Sequence, residues 1–497
     1  MKLKFGTGGL RAVMGDGEGY MNLSVIQEAT LGVAAYAKKN KKNPSFAIAY
    51  DTRINSEKFA REAARILALK GCQVYIYPKA TPTPMLSFAV RELKCHFGIC
   101  ITASHNPKEY NGYKVYHADG CQITNNAAKA IQSEIENINR EDIHDWRTFE
   151  DFVQERKIIY ISQHINEAFI NTIAKLQTSD KTAKELQVIY TPLNGTGLWP
   201  MLEMFQKTGV HQVKLVEEQI VPDGNFTTCP CPNPEEEKAL FLGIELCKKA
   251  KADILIATDP DSDRIGVVAK CGEEYKLLSG NQLGVLLLDY LLGYLKANHC
   301  MPQNPVVFKT IVTTSMAEKI AAEYGVQIMD TLTGFKYIGE LIGKLEDAGE
   351  LNRFVFGMEE SCGYLIGPYV RDKDAIGASM TVCEMAETYK QQGKTLWDRL
   401  HELYEKYGYF QCELETQKYE QTEADMKMKK LRKKLTKIEN AKYDNQCIIR
   451  YEDYLEGLHG LPKSNVVKLW LENGSTVVIR PSGTEPKIKV YREKFYN

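Results

Sequence analysis

A serine hydroxyl stands where a hydrophobic stretch stops. Residues Phe97 to Ile101 (FGICI) read as a short buried strand, and the following Thr102-Ala-Ser-His-Asn-Pro107 cannot extend it, because Pro107 biases Asn106 toward turn geometry. Ser104 is therefore displayed on a loop, with His105, Lys108 and Lys114 close in sequence. A serine hydroxyl is a weak nucleophile and a good phosphate carrier, so chemistry there requires an activating base, neutralising cations or a phosphoryl group already attached. A second reactive group lies far downstream. Asp259, Asp261 and Asp263 alternate directly after the apolar run Ile254 to Thr258, and continued strand geometry would project all three to one side. Three hard oxygen donors so placed repel one another unless a divalent cation lies between them, which makes Mg²⁺ the natural ligand. The stretch is not an EF-hand: the glycine and glutamate that loop needs are replaced by Arg264 and Lys270.

Two more polar loops follow predicted strands. Gly357-Met-Glu-Glu-Ser-Cys-Gly363 carries adjacent carboxylates and a hydroxyl, and Arg480-Pro-Ser-Gly-Thr-Glu485 offers a guanidinium, two hydroxyls and glycine-exposed amides, the set that tetrahedral phosphate recognition asks for. Taken in order with Asn111-Gly-Tyr-Lys114, Asp259-Pro-Asp-Ser-Asp-Arg264 and the opening Phe5-Gly-Thr-Gly-Gly-Leu-Arg11, these strings resemble the loops of the α-D-phosphohexomutase superfamily, the phosphoglucomutases and phosphomannomutases.

The resemblance implies a specific assignment. Ser104 would be phosphorylated in the resting enzyme, Asp259, Asp261 and Asp263 would hold Mg²⁺ with the phosphoserine as a further oxygen, and Arg11 and Arg264 would face the site. Lys114 or His105 would transfer the proton. Glu359 and Ser361 match the groups that hold sugar hydroxyls, Thr333-Gly334-Phe-Lys336 looks like the specificity loop, and Lys309 and Lys373 match lysines lining the cleft. The distal phosphate would dock on Arg480, Ser482, Gly483 and Thr484. The implied reaction interconverts α-D-glucose 1-phosphate and glucose 6-phosphate through glucose 1,6-bisphosphate, which also serves as activator. The Glu-Glu-Ser form is similar to glucose- and mannose-phosphate mutases and differs from the Glu-Gln-Ser usual in phosphoglucosamine mutases. Mannose, ribose or deoxyribose phosphates remain alternative substrates. A hydrolase using Asp259 or Asp261 as nucleophile, and a non-catalytic sugar-phosphate binder, are further alternatives. One departure is the start of the chain, four residues before Phe5, where related mutases often carry more sequence.

These loops need a scaffold that brings them together. At 497 residues the chain exceeds a single core, and the usual domain size suggests roughly three or four domains. Strand-helix-strand order recurs three times, giving three similar α/β domains with mixed sheets over residues 1–150, 151–274 and 275–392, and a C-terminal α+β domain over 393–497, around a central cleft as the resemblance implies. The expected elements include helices at Leu23 to Lys38 and Glu57 to Lys70, a proline-rich turn at Thr81 to Pro84, and a basic helix at Lys427 to Lys437. A glycine loop carrying Thr7 and Arg11 opens the chain, and Arg53 ends a strand; phosphate or loop contacts suit Arg11 more than Arg53. Thr191 to Gly197 reads as a tight strand-to-helix connection.

Composition bounds the partners. Hydrophobic content of 44% with 26% charged residues is that of an ordinary globular protein. A net charge of −1 argues against nucleic acid, and no apolar run approaches the ~20 residues a membrane span needs. Thirteen scattered cysteines fit a reducing cytoplasm better than a disulfide framework, and Cys229-Pro-Cys231 lacks a partner pair at zinc spacing. The expected ligand is a small sugar phosphate, and the expected assembly a monomer or homodimer.

Overall fold

The computed structural model describes residues 3–6, 8–138, 146–178, 185–419, 421–436, 441–481 and 487–496, with the side chains of 421 and 422 outside the description. Four sheets organise these residues. In the first, Ser45–Tyr50 lies between Gln73–Ile76 and Phe97–Ile101, all parallel, and Tyr110–His117 runs antiparallel beside Phe97–Ile101. The second repeats that order with Gln212–Leu215, Gln187–Thr191, Ile254–Thr258 and Ile265–Cys271, and the third with Gln327–Thr331, Val306–Thr310, Phe354–Glu359 and Gly363–Ile366. Helices make both crossovers in each unit, as parallel pairing requires. The turn that follows the third parallel strand of each unit is an equivalent hairpin. These three hairpins carry Ser104, the three aspartates, and Glu359 with Ser361.

Burial follows from this layering. Phe97–Ile101, Ile254–Thr258 and Phe354–Glu359 are buried at every position, because helices cover both faces of the parallel strands. The fourth sheet, Tyr409–Lys418, Lys487–Tyr496, Thr476–Pro481, Val467–Leu471, Gln446–Asp453 and Lys442–Tyr443, is antiparallel throughout and packs the helix Gln421–Leu435 on one face.

Several local expectations change. Thr81 to Pro84 is not only a turn: Pro82 caps a helix, Thr83–Glu92, with Pro84 in its first turn, where a missing N–H costs nothing. The first sheet continues past residue 150, since Ile158–Tyr160 pairs with Gln73–Ile76. The helix Ala375–Gln391 is buried almost all round, so it lacks the polar stripe by which a surface helix is read. The basic helix is found at Gln421–Leu435, with Lys437 outside the described residues. Thr191 to Gly197 is a tight connection: a Cβ on Gly195 would lie 2.5 Å from Pro260 Cα, and Thr196 donates N–H and hydroxyl to the Pro260 carbonyl. That turn braces the aspartate loop.

Candidate active site

The register of the first sheet builds the serine loop. Tyr50 pairs with Ile101, so Asp51 and Thr102 emerge side by side, and Thr102 Oγ1 donates to Asp51 Oδ2 at 2.6 Å. Thr102 Oγ1 in turn accepts the Ser104 N–H at 2.8 Å. Ser104 takes a left-handed backbone, φ 53°, which a residue with a Cβ holds only when its surroundings impose it. Gly112 allows the returning strand to approach, since a Cβ there would sit 2.4 Å from the Thr102 carbonyl oxygen.

The aspartates do not fan from a continuing strand, as alternation suggested. The strand ends at Thr258, and residues 259 to 264 form the hairpin turn, with Ser262 at φ 53° and the Asp259 N–H returning to the Arg264 carbonyl. The turn nevertheless converges the carboxylates, one oxygen of each lying within 4.8 Å of the others. Asp259 Oδ1 accepts the N–H groups of Asp263 and Arg264, which leaves Oδ2 to accept the Ser104 hydroxyl at 2.6 Å. Serine and acid cluster thus share one buried site although 155 residues separate them.

Cations from three units surround the acids. Lys114 Nζ lies 2.9 Å from Asp261 Oδ2 and 3.5 Å from Asp263 Oδ2, Lys373 Nζ lies 3.1 Å from the same Asp263 oxygen, and Arg264 Nη1 donates to Glu235 at 2.7 Å. Burial and the neighbouring Asp261 and Asp263 push the Asp259 carboxyl well above the usual carboxylate range. Burial pushes Asp261 the same way, but Lys114 and the Thr83 hydroxyl outweigh it and hold that carboxyl well below. Asp261 Oδ1 and Asp263 Oδ1 are buried and find no hydrogen-bond partner among the described residues. Orphaned oxygens on carboxylates that repel each other are what a hard divalent cation would satisfy, so the residues present fit Mg²⁺.

His105 Nδ1 lies 3.3 Å from Ser104 Oγ, and burial with Arg264 and Arg11 close by lowers its pKa well below the ordinary value. Arg11 Nη1 donates to Asn106 Oδ1 at 3.1 Å on the rim of the same loop. Glu359 is buried and accepts the Gly334 N–H at 2.9 Å, joining two of the expected sugar loops; Gly334 has φ 114°, a conformation open to glycine. Thr333 Oγ1 meets the Arg480 guanidinium, so the fourth unit reaches the third at the specificity loop. Ser361 is half-buried on the hairpin after Glu359. Lys336 is half-buried, and burial together with Arg480 brings its ammonium down to about 8.

Lys309 departs from expectation. Its ammonium is fully buried and taken by Asp330 at 2.9 Å, Glu318 at 3.1 Å and the Thr313 carbonyl at 3.2 Å, because the parallel register sets Lys309 beside Asp330. It supports the third sheet instead of lining the cleft. Ser482, Gly483 and Thr484, like Thr7, lie outside the described residues. Sequence reasoning missed Thr83, whose hydroxyl donates to Asp261 Oδ2, and Glu235, which holds Arg264. Neither has a local signal: Thr83 acts across a contact between the first two units, and Glu235 reaches Arg264 within the second unit from 29 residues away.

The chain is similar to known proteins along nearly its whole length. Models of the phosphoglucomutase/phosphomannomutase family match it in order: α/β/α domain I over residues 2–142, domain II over 167–272, domain III over 279–407 and the C-terminal domain over 420–495. A phosphoglucomutase of Staphylococcus haemolyticus is 35% identical over 503 residues, spanning 99% of this chain and 90% of its own. A solved putative phosphomannomutase from Thermus thermophilus superposes with a TM-score of 0.74 at 21% identity, over 100% of this chain and 96% of its own. Aspergillus fumigatus N-acetylphosphoglucosamine mutase, solved with GlcNAc-6P and magnesium, superposes with a TM-score of 0.55 at 13% identity, over 99% and 92%. The two superpositions speak to fold.

Proposed function

The chain belongs to the phosphoglucomutase/phosphomannomutase family of the α-D-phosphohexomutase superfamily, and on that premise we propose that it is an isomerase interconverting α-D-glucose 1-phosphate and glucose 6-phosphate. The observation that carries the reading is the 2.6 Å hydrogen bond from Ser104 Oγ to Asp259 Oδ2, which sets a phosphate carrier against an acid cluster. Ser104 holds a phosphoryl group in the resting enzyme. The substrate hydroxyl attacks that phosphorus, the P–Oγ bond breaks as the new P–O bond forms, and the hydroxyl proton leaves to a base. Glucose 1,6-bisphosphate is the product of this half-reaction; it turns round and returns its other phosphate to Ser104.

The chain's own groups divide the work. Lys114 is held by two carboxylates and keeps its charge beside the transferring group, which leaves the His105 ring, 3.3 Å from Ser104 Oγ, as the nearer candidate for the proton. Arg264 and Arg11 counter the charge that develops on the phosphoryl oxygens. Glu359 and Ser361 hold sugar hydroxyls, Thr333, Gly334, Lys336 and Lys373 line the sugar's seat, and Arg480 with Ser482, Gly483 and Thr484 receives the distal phosphate. Mg²⁺ held by Asp259, Asp261 and Asp263 supplies charge neutralisation for phosphoryl transfer. Four units, the first extended through Ile158–Tyr160 and the later boundaries near residues 274 and 392, deliver one loop each.

The hydrolase alternative is the weaker reading, because it leaves Ser104 without a task while Asp259, one of its two candidate nucleophiles, accepts the Ser104 hydroxyl. Among the described residues no helix is long and apolar enough to cross a membrane, and all thirteen cysteines are free thiols. A cytoplasmic enzyme, monomeric or homodimeric, is part of the same proposal. The test is a coupled assay over glucose, mannose, ribose and deoxyribose phosphates with intact-mass analysis. Turnover of glucose 1-phosphate above the others, with one phosphate mapped to Ser104, supports the proposal; free phosphate release without isomerisation refutes it.

A further inference from the structure

Arg53 lies at the end of Ser45–Tyr50, outside every loop assigned above to phosphate, metal or sugar, and only 3% of its surface is exposed. All five of its N–H donors have acceptors. Nε donates to Asp51 Oδ2 at 3.1 Å, Nη1 to the carbonyls of Pro107 at 2.8 Å and Tyr110 at 3.3 Å, and Nη2 to the carbonyls of Ser104 and Asn106. The ring of Phe226, fully buried and contributed by the second unit, covers the guanidinium with its centroid 5.0 Å away. No donor is left for a phosphate, so an arginine one loop away from Ser104 is not a phosphate ligand here.

Four carbonyl groups of one short loop aimed at a single point repel each other, and Ser104 adds an unfavourable left-handed backbone. Both features need a cation with a fixed fork geometry at the centre. A lysine at that position could match the charge but would offer three donors where five are used. Asp51 ties the same clamp to the Thr102 hydroxyl and so to the Ser104 amide.

We propose that Arg53 is the positioning residue of the serine loop, holding Ser104 Oγ at the acid cluster, and that Phe226 sets the guanidinium so that the loop is ordered only when the first two units are docked. The kinetic consequence rests on the mutase reading. Misplacing the phosphate carrier harms transfer without touching the groups that bind the sugar or the distal phosphate, so the loss falls on kcat.

Full-length Arg53→Lys and Phe226→Leu enzymes test this, read by kcat and KM for glucose 1-phosphate and by hydrogen exchange of the amides of residues 102–110. Arg53→Lys should lose about 100-fold in kcat with KM within about twofold, and exchange in that loop should quicken. Phe226→Leu, which keeps most of the buried volume, should lose roughly threefold or more in kcat with the same split. A folded Arg53→Lys enzyme with kcat within about twofold of wild type overturns the proposal. If Arg53→Lys does not fold, Phe226→Leu decides: unchanged kcat overturns it, and a kcat loss at constant KM upholds it. If wild-type protein forms no phosphoserine, the mutase reading fails separately and the clamp is judged on exchange alone. Faster exchange in residues 102–110 of either folded variant then sustains it, and unchanged protection ends it.

Discussion

Thr83 Oγ1 donates to Asp261 Oδ2 at 2.7 Å, and the Thr83 N–H reaches the Asp261 carbonyl at 2.8 Å, so the first turn of a helix in the first unit orients an acid of the second. Both groups are fully buried. Thr83→Val keeps the shape and removes the hydroxyl, leaving Asp261 Oδ2 with Lys114 alone. The expected result is a Mg²⁺ half-saturation raised roughly tenfold or more at little cost to KM for sugar phosphate. A Mg²⁺ titration that overlays the wild type would show that the carboxylate needs no such orienting bond.

Ser104→Ala should leave the melting temperature close to wild type or slightly below it, since Asp259 Oδ2 loses one hydrogen-bond donor and the fold is otherwise untouched. Turnover should vanish, along with the phosphate adduct in the intact mass. A variant that keeps near wild-type activity removes the phosphoenzyme from the mechanism.

Arg480→Ala should raise KM for glucose 1-phosphate by about tenfold or more, with the smaller effect on kcat, because a guanidinium that binds the non-reacting phosphate acts before chemistry begins. It also frees Thr333 Oγ1, its partner across the third and fourth units. Unchanged KM and kcat together would show that this arginine takes no part in docking.

Lys336 carries a pH signature. Its ammonium is brought down from 10.5 to about 8, chiefly by burial. A lysine with a lowered folded pKa destabilises the ligand-free protein fully below about 8, and the penalty fades as pH rises toward 10.5, where the unfolded chain also loses its proton. Lys336→Met should therefore melt above wild type at pH 7, with the gap closing toward pH 10. KM for sugar phosphate in the wild type should rise above pH 8 as the charge is lost, and the variant should lack that limb. A melting gap constant from pH 7 to 10 contradicts the assignment.

Much of the site was legible because its reactive residues cluster at strand ends. Ser104 follows an apolar run and is halted by Pro107; the three aspartates follow another; Glu359 and Ser361 follow a third. Breakers and apolar runs are local properties, so the loops could be found one at a time. The aspartates converge for a different reason from the one their alternation suggested, because the chain turns after Thr258, with Ser262 left-handed, instead of running on. Lys309 shows the limit from the other side: the resemblance matched it to the cleft, but the partners Asp330 and Glu318 that take its charge were not readable.

The amino-acid sequence alone determined which residues carry oxygen donors, hydroxyls and cations, and that each set sits on a loop after a buried strand, since hydrophobic runs and turn residues act within a few positions of themselves. Tertiary structure decided that Ser104 faces Asp259, that Thr83 and Glu235 belong to the site, and that Arg53 serves the loop's backbone and not a phosphate. The Ser104–Asp259 and Thr83–Asp261 contacts depend on how separate units dock, and the Glu235–Arg264 and Arg53–loop contacts on how distant stretches of one unit fold together; both are set by the summed shape and charge of surfaces assembled from many residues, which no local pattern encodes.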